Sequence, residues 1–148
     1  MLQIVVVHVI KKSYMKLFKI LSNPYTIIIV FLLLMISGEQ TGGFYIIYIF
    51  TALPHAGIHA ILAVGGMIIL LFNYHVRNKA FVSFFLNIIG LAFLVLSLYL
   101  FFANDPSHYN QATFEQTVPL FTFILFGFLV LCSVLHNFIH LPKTFTTK

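Results

Sequence analysis

Charged residues are scarce in this chain. They make up 7% of its 148 residues, whereas hydrophobic residues make up 61%. A soluble domain usually contains about 25% charged residues, because its surface must be hydrated. This composition excludes a soluble globular domain and predicts an integral membrane protein whose outer surface faces hydrocarbon.

Cysteine and the common catalytic motifs are also lacking. Cys132 is the only cysteine, which excludes an internal disulfide and a cysteine-based zinc cluster. The sequence contains no phosphate-binding glycine loop, nucleophile elbow or Cys-x-x-Cys motif. We therefore predict no catalytic residue, and we favour a protein that is not an enzyme and carries no cofactor.

Four apolar runs predict transmembrane helices. A helix needs about 20 apolar residues to cross about 30 Å of hydrocarbon. Three runs reach that length, and the first is shorter. It is either a short span or part of a helix that begins earlier and bends at Pro24; a cleaved signal peptide is a third interpretation. The predicted fold is all-α, a single membrane domain over 1–148 with four transmembrane helices in an up-down bundle, at 24–37, 44–72, 80–103 and 120–139.

Acidic residues are rare, and they lie apart from the basic ones. Glu39, Asp105 and Glu115 occupy the first and third loops between the predicted spans, whereas the eight basic residues lie before the first span, after the fourth or in the second loop. Because loops rich in lysine and arginine stay on the cytoplasmic side, we predict a bacterial inner-membrane protein with both termini in the cytoplasm. The same distribution accounts for the net charge of +5 without a nucleic-acid partner.

The N-terminal lysines have a helical spacing. Lys12, Lys16 and Lys19 form a stripe beside apolar residues over 10–22. This pattern predicts an amphipathic helix in the interface, with its lysines at lipid headgroups. A frayed basic tail that only sets the topology is the alternative. Either way, membrane lipids are predicted partners.

The second predicted span contains a proline and many small residues. Pro54 predicts a break in this helix; alternatively, the true crossing begins at Pro54 and residues 44–53 form a separate helix. Small residues allow helices to pack closely in lipid. We predict an interface with another copy or another membrane subunit at Ala52, Ala56, Ala60, Gly57 and Gly65.

Two histidine pairs have a spacing of four residues, which places both rings on one face of a helix. His136 lies about 15 Å in depth from His59, so the two pairs cannot form one site. We favour neutral, hydrogen-bonded rings at His55 and His59, with proton or ligand handling as the first alternative. The second alternative is haem or metal ligation by His55 and His59, with a second copy supplying further ligands. His136 and His140 are predicted to be interfacial.

Polar residues form a seam on each of the last three spans. Because unpartnered polar groups are costly in hydrocarbon, these seams should face one another inside the bundle. Ser97 belongs to the seam of the third span. The candidates for ligand or proton handling are Tyr48, Thr51, His55, His59, Asn87, Ser133, His136 and His140.

The loop at 104–119 is the most polar segment between spans. Asp105, His108, Tyr109 and Glu115 could hold a divalent cation weakly. We favour a short helix capped near Asp105 instead.

Three functions follow from these observations. The leading hypothesis is a non-enzymatic membrane subunit that packs against itself or a larger assembly through the second span. The first alternative is a small transporter or channel lined by the polar seams. The second is a haem- or metal-binding redox component that uses His55 and His59.

Overall fold

The computed structural model describes residues 15–38, 42–76, 80–105 and 109–140. The helices in these residues are α1 (Met15–Leu21), α2 (Pro24–Leu32), α3 (Tyr45–Ala52), α4 (Ile58–His75), α5 (Ala80–Ala103) and α6 (Thr117–His140). The strands are β1 (Met35–Ser37) and β2 (Gly42–Phe44), and the 3-10 turns are Leu53–His55 and Tyr109–Phe114. The chain is mostly helical, which confirms the all-α prediction in outline.

Three helical stretches are long and apolar enough to cross a membrane. They are Ile58–His75, Phe81–Ala103 and Thr117–Ile139. The pair α1 and α2, bent by 49°, adds a fourth if the two helices are one span. Length and composition therefore confirm the prediction of membrane-spanning helices.

The bend between α1 and α2 lies at Pro24. The Asn23 side chain accepts a hydrogen bond from the Tyr25 N–H at 3.0 Å and caps α2. Thr26 donates its hydroxyl proton to the Ile20 carbonyl of α1 at 3.0 Å. Proline suits the first turn of a helix because its missing N–H would have no partner there. The first apolar run therefore follows a separate helix, α1, and the two helices are bent by 49° across residues 22–23.

The first predicted span, 24–37, was wrong in its last third. Helix α2 ends at Leu32, and β1 pairs antiparallel with β2, with Met35 opposite Phe44. Thr122 accepts a hydrogen bond from the Met35 N–H at 3.2 Å, and Thr113 accepts one from the Ser37 N–H at 2.9 Å. Backbone N–H groups in lipid must be hydrogen-bonded. In a longer helix, backbone carbonyls would accept these hydrogen bonds; here the two threonine hydroxyls accept them.

The second predicted span, 44–72, is divided into α3 and α4. The break contains Pro54 in its 3-10 turn and Ala56 in the left-handed region, at φ 53°. The Gly57 N–H donates to the Ala52 carbonyl at 3.0 Å. A Cβ at Gly57 would lie 2.9 Å from the Cβ of Ala52, so this turn requires glycine at position 57.

Helices α4 and α5 form the closest packed pair. Their contacts run in opposite order along the chain, so the helices are antiparallel: the His59 carbonyl meets Ser97, and Gly66 meets Gly90. A Cβ at Gly66 would lie 2.9 Å from the Gly90 carbonyl oxygen. The two glycines therefore allow the backbones to approach each other, as small residues do in membrane proteins.

Helices α2 and α6 complete the core. The rings of Phe31 and Phe126 lie 5.5 Å apart, and both side chains are buried. Helix α5 has the predicted bounds of the third span, whereas α6 begins three residues before the predicted 120–139. Pro119 lies in its first turn, where proline is tolerated. Helices α2, α4, α5 and α6 thus surround one apolar core.

Candidate functional site: buried polar contacts between the helices

The seams of α5 and α6 meet at Asn87 and Ser133. Asn87 is 2% exposed and Ser133 is fully buried. The Asn87 amide donates to the Ser133 hydroxyl at 3.0 Å. Asn137 donates to the Ser133 carbonyl at 2.7 Å. Two of the predicted candidates are therefore partners of each other inside the bundle.

A second polar contact joins α3, α4 and α5. Ser97 donates its hydroxyl proton to the His59 carbonyl at 2.7 Å. The Tyr45 hydroxyl lies 2.8 Å from the Ser97 oxygen. Because serine has only one hydroxyl proton, Tyr45 is the donor in this pair. Tyr45 and Ser97 are both fully buried, so this chain of hydrogen bonds fixes α3 and the first turn of α4 to α5.

Sequence reasoning missed Tyr45. It lies in the aromatic run FYIIY at 44–48, where neither its spacing nor its neighbours distinguish it from Tyr48. Only the fold shows that Tyr45 faces Ser97, 52 residues further along the chain.

His59 and His55 do not share a helical face, which corrects the sequence prediction. His55 lies in the 3-10 turn and His59 in the first turn of α4, on opposite sides of the left-handed Ala56. The His55 side chain is exposed, and its Nδ1 lies 3.1 Å from the Thr51 carbonyl. The described residues contain no group of three or more His, Cys, Asp or Glu side chains that could hold a metal ion.

The His59 ring is half-buried, and one of its nitrogen atoms is not hydrogen-bonded within the described part of the chain. Its Nε2 atom is buried and has no hydrogen-bond partner among the described residues. The ring packs edge-on against Phe101, with centroids 5.4 Å apart. The Asn73 amide oxygen is the other buried side-chain atom in the described chain with no partner. Buried polar atoms are normally hydrogen-bonded, so these two atoms are exceptions within the described residues.

The remaining candidates of the second span are dispersed. Tyr48 is half-buried, and its ring lies 5.2 Å from that of Phe101. Thr51 is exposed, and its hydroxyl donates to carbonyls of its own helix, at Ile47 and Tyr48. The predicted seam of Tyr48, Thr51, His55 and His59 is therefore not one continuous face.

His136, in the C-terminal part of α6, lies beside α1. His136 is half-buried, and its ring lies 5.6 Å from that of Phe18. Lys16 and Lys19 of α1 are exposed. Lys12, residues 10–14 of the predicted interfacial helix and the side chain of His140 lie outside the described residues. Their predicted roles remain predictions.

The loop residues favour a capped turn. The Asp105 carboxylate accepts a hydrogen bond from the Asn110 N–H at 2.7 Å, at the start of the turn Tyr109–Phe114. Glu115 is exposed. His108 and the side chain of Tyr109 lie outside the described residues. Asp105 thus bonds to the start of a turn that begins at Tyr109, four residues after the helix start that we predicted near Asp105.

The predicted small-residue interface does not form one surface. The break separates Ala52 and Ala56 from Ala60, and Ala60 is fully buried inside the chain. Gly65 faces the ring of Phe93 at 3.5 Å. The close approach of α4 and α5 uses Gly66 and Gly90 instead. Contact of Ala52, Ala56, Gly57 and Gly65 with a partner stays a prediction.

An apolar groove of about 550 Å³ lies between α5 and α6. A Cβ at Gly127 would meet no atom within 4 Å, so the floor of the groove is open at this residue. Phe102, Phe114 and Phe123 form a ring cluster at one end, with centroids 4.9 to 5.7 Å apart. A lone glycine in the apolar run of α6 was the only sequence feature that indicated it.

No protein-family model, no curated protein and no solved structure matches this chain.

Proposed function

We propose that this chain is a non-enzymatic membrane subunit that crosses a bacterial inner membrane four times and associates with itself or with other membrane proteins. The bent pair α1 and α2 is the first span, and α4, α5 and α6 are the others. Both termini are cytoplasmic, as the distribution of basic residues indicates. The fold is an up-down bundle.

A row of large apolar side chains on α6 carries this proposal. Its members follow one another at intervals of three and four residues and are 46–63% exposed: Phe121, Ile124, Phe128, Leu131, Leu135 and Phe138. Alternating intervals of three and four residues, close to the heptad spacing of 3.5, keep such a row facing a neighbouring helix along a shallow supercoil. This surface, which we name the α6 row, replaces the small residues of the second span as the proposed interface.

The buried polar contacts support a structural role over transport. A solute pathway needs polar side chains that face a cavity. Asn87, Ser97 and Ser133 are buried and bond to groups of neighbouring helices instead. The groove between α5 and α6 is lined by apolar residues. These side chains serve to hold the helices together.

Cysteine cross-linking in native membranes tests self-association through the α6 row. Cysteines at positions 124, 128, 131 and 135, in a C132A background, should form cross-linked dimers. Val118 and Leu125 are exposed but lie about 100° from the centre of the row, so cysteines there are controls and should cross-link less than those on the row. After purification in mild detergent, the protein mass of the complex should exceed the 16.9 kDa of one chain, or a fixed partner should copurify. Equal cross-linking at all positions, or a monomer with no partner, would contradict the proposal.

The unpartnered Nε2 of His59 favours a second candidate function, proton or ligand handling. A neutral imidazole in a membrane interior can accept or pass a proton. Proton flux into liposomes should then fall in H59A and persist in H55A, because His55 is exposed and bonded to its own helix. An unchanged flux in H59A would remove this candidate. A Soret band or stoichiometric metal that H59A abolishes would support haem or metal binding instead.

A further inference from the structure

We propose that the groove between α5 and α6 binds one acyl chain of a phospholipid whose headgroup carries a primary ammonium, as in phosphatidylethanolamine. The site goes beyond the proposed association function, because it lies on a different side of α6 from the α6 row. Gly127 and Val130 line the groove, and at 100° per residue their centre is about 100° from the centre of that row.

The shape of the groove fits an acyl chain. Its volume of about 550 Å³ lies within the range of roughly 300–1,000 Å³ that is typical of small-molecule sites. It extends along α5 from Ala103 to Val95 and along α6 as far as Val130. At about 1.5 Å per residue, Val95 lies about 12 Å from the C-terminal end of α5, and Val130 lies about 20 Å from the N-terminal end of α6. One leaflet is about 15 Å thick, so the groove covers the depth of one chain.

The walls of the groove are irregular and mostly aromatic or aliphatic. Apart from Gly127 and Ala103, the groove is lined by large side chains such as Leu98, Phe102 and Phe126. Because both walls belong to membrane-spanning helices, the groove opens to hydrocarbon, and an apolar void of this kind does not hold water. An acyl chain is the apolar group that can follow an irregular aromatic wall.

The charge at the end of the groove selects the headgroup. Phe114 closes this end, and the next residue is the exposed Glu115. Asp105 follows Ala103, which also lines the groove, by two residues, and one of its carboxylate oxygens accepts the Asn110 N–H bond. No lysine or arginine occurs between residues 80 and 142. A carboxylate pairs well with an ammonium that donates N–H bonds and repels a headgroup with net negative charge.

Native mass spectrometry of the full chain tests this site. The protein is equilibrated with equal amounts of phosphatidylethanolamine, phosphatidylcholine and phosphatidylglycerol that have the same acyl chains. We expect retained phosphatidylethanolamine to exceed phosphatidylglycerol by about twofold to fivefold, the ratio that corresponds to one exposed ion pair. E115Q should bring this ratio close to one without reducing the total lipid retained. Equal retention of the two lipids by the wild type would overturn the headgroup assignment and with it the proposal.

Filling the groove tests the acyl-chain part. G127L should lose at least half of the retained lipid of every class, because its side chain would occupy the open floor. A92L is the matched control, since Ala92 is exposed on α5 and does not line the groove. If G127L loses its helical circular dichroism, A103L fills the same groove from α5. The site would be refuted if a folded groove-filling variant retained as much lipid as A92L does.

Discussion

Single buried polar residues determine how these helices pair. In hydrocarbon, a side-chain hydrogen bond between helices typically contributes about 0.5–2 kcal/mol. The pair Asn87 and Ser133 and the pair Tyr45 and Ser97 are both buried. Their value lies in specificity as much as in energy, because each fixes the rotation and depth of one helix against the next.

A double-mutant cycle on Asn87 and Ser133 measures one of these bonds. We expect N87A and S133A each to destabilise the protein, with a coupling energy of about 0.5–2 kcal/mol, because either change removes the same bond. The measurement is the free energy of unfolding in mixed micelles titrated with denaturing detergent. Strictly additive effects would show that this hydrogen bond contributes nothing.

At the scale of elements, the straight helices and the breaks near Pro24 and Pro54 were predictable, whereas the early end of α2 and the strand pair that follows it were not. Helix α5 is a long apolar run with no proline, so composition alone defines its bounds. The end of α2 at Leu32 depends on Thr113 and Thr122, which lie 76 and 87 residues from their partners in β1. A pattern within the run MIS at 35–37 cannot show such distant partners.

The candidate site was predictable to a similar extent. The polar seams identified Asn87, Ser97 and Ser133, because polar residues in an apolar run must find partners. The histidine pair failed because residues at i and i+4 share a face only in an unbroken helix. Pro54 indicated a break, but the left-handed residue that follows it could not be read from an alanine.

Two glycines should respond in opposite ways to the same substitution. G66A should destabilise the protein by about 1–3 kcal/mol, because its Cβ would lie 2.8 Å from Leu94 Cδ2 and 2.9 Å from the Gly90 carbonyl. G127A should stabilise it by up to about 1 kcal/mol, since alanine favours a helix and this Cβ has open space. Unfolding free energies for the two variants test the α4–α5 contact directly. Equal effects would mean that the helices do not approach closely at Gly66.

The break between α3 and α4 has its own test. Ala56 at φ 53° adopts a conformation that costs a non-glycine residue about 1–2 kcal/mol. A56G should therefore stabilise the protein by about 1 kcal/mol. The control A92G should destabilise it by a similar amount, because Ala92 lies within helix α5. If A56G is destabilising as well, α3 and α4 form one continuous helix.

At the scale of the whole molecule, the account depends on how many times the chain crosses the bilayer. α4, α5 and α6 qualify as spans by length and composition, and the pair α1 and α2 qualifies only if its 49° bend lies within one crossing. Four crossings place all basic residues on one side and all acidic residues on the other. Three crossings, without α1 and α2, would put the basic N-terminal segment and the second loop on opposite sides.

Site-directed cysteine labelling at positions 39 and 77 tests this central claim most directly. In a C132A background, each cysteine is exposed to a membrane-impermeant maleimide in intact cells and in inverted membrane vesicles. Four crossings predict that position 39 is labelled only in intact cells and position 77 only in inverted vesicles. Labelling of both positions from the same side would contradict the account.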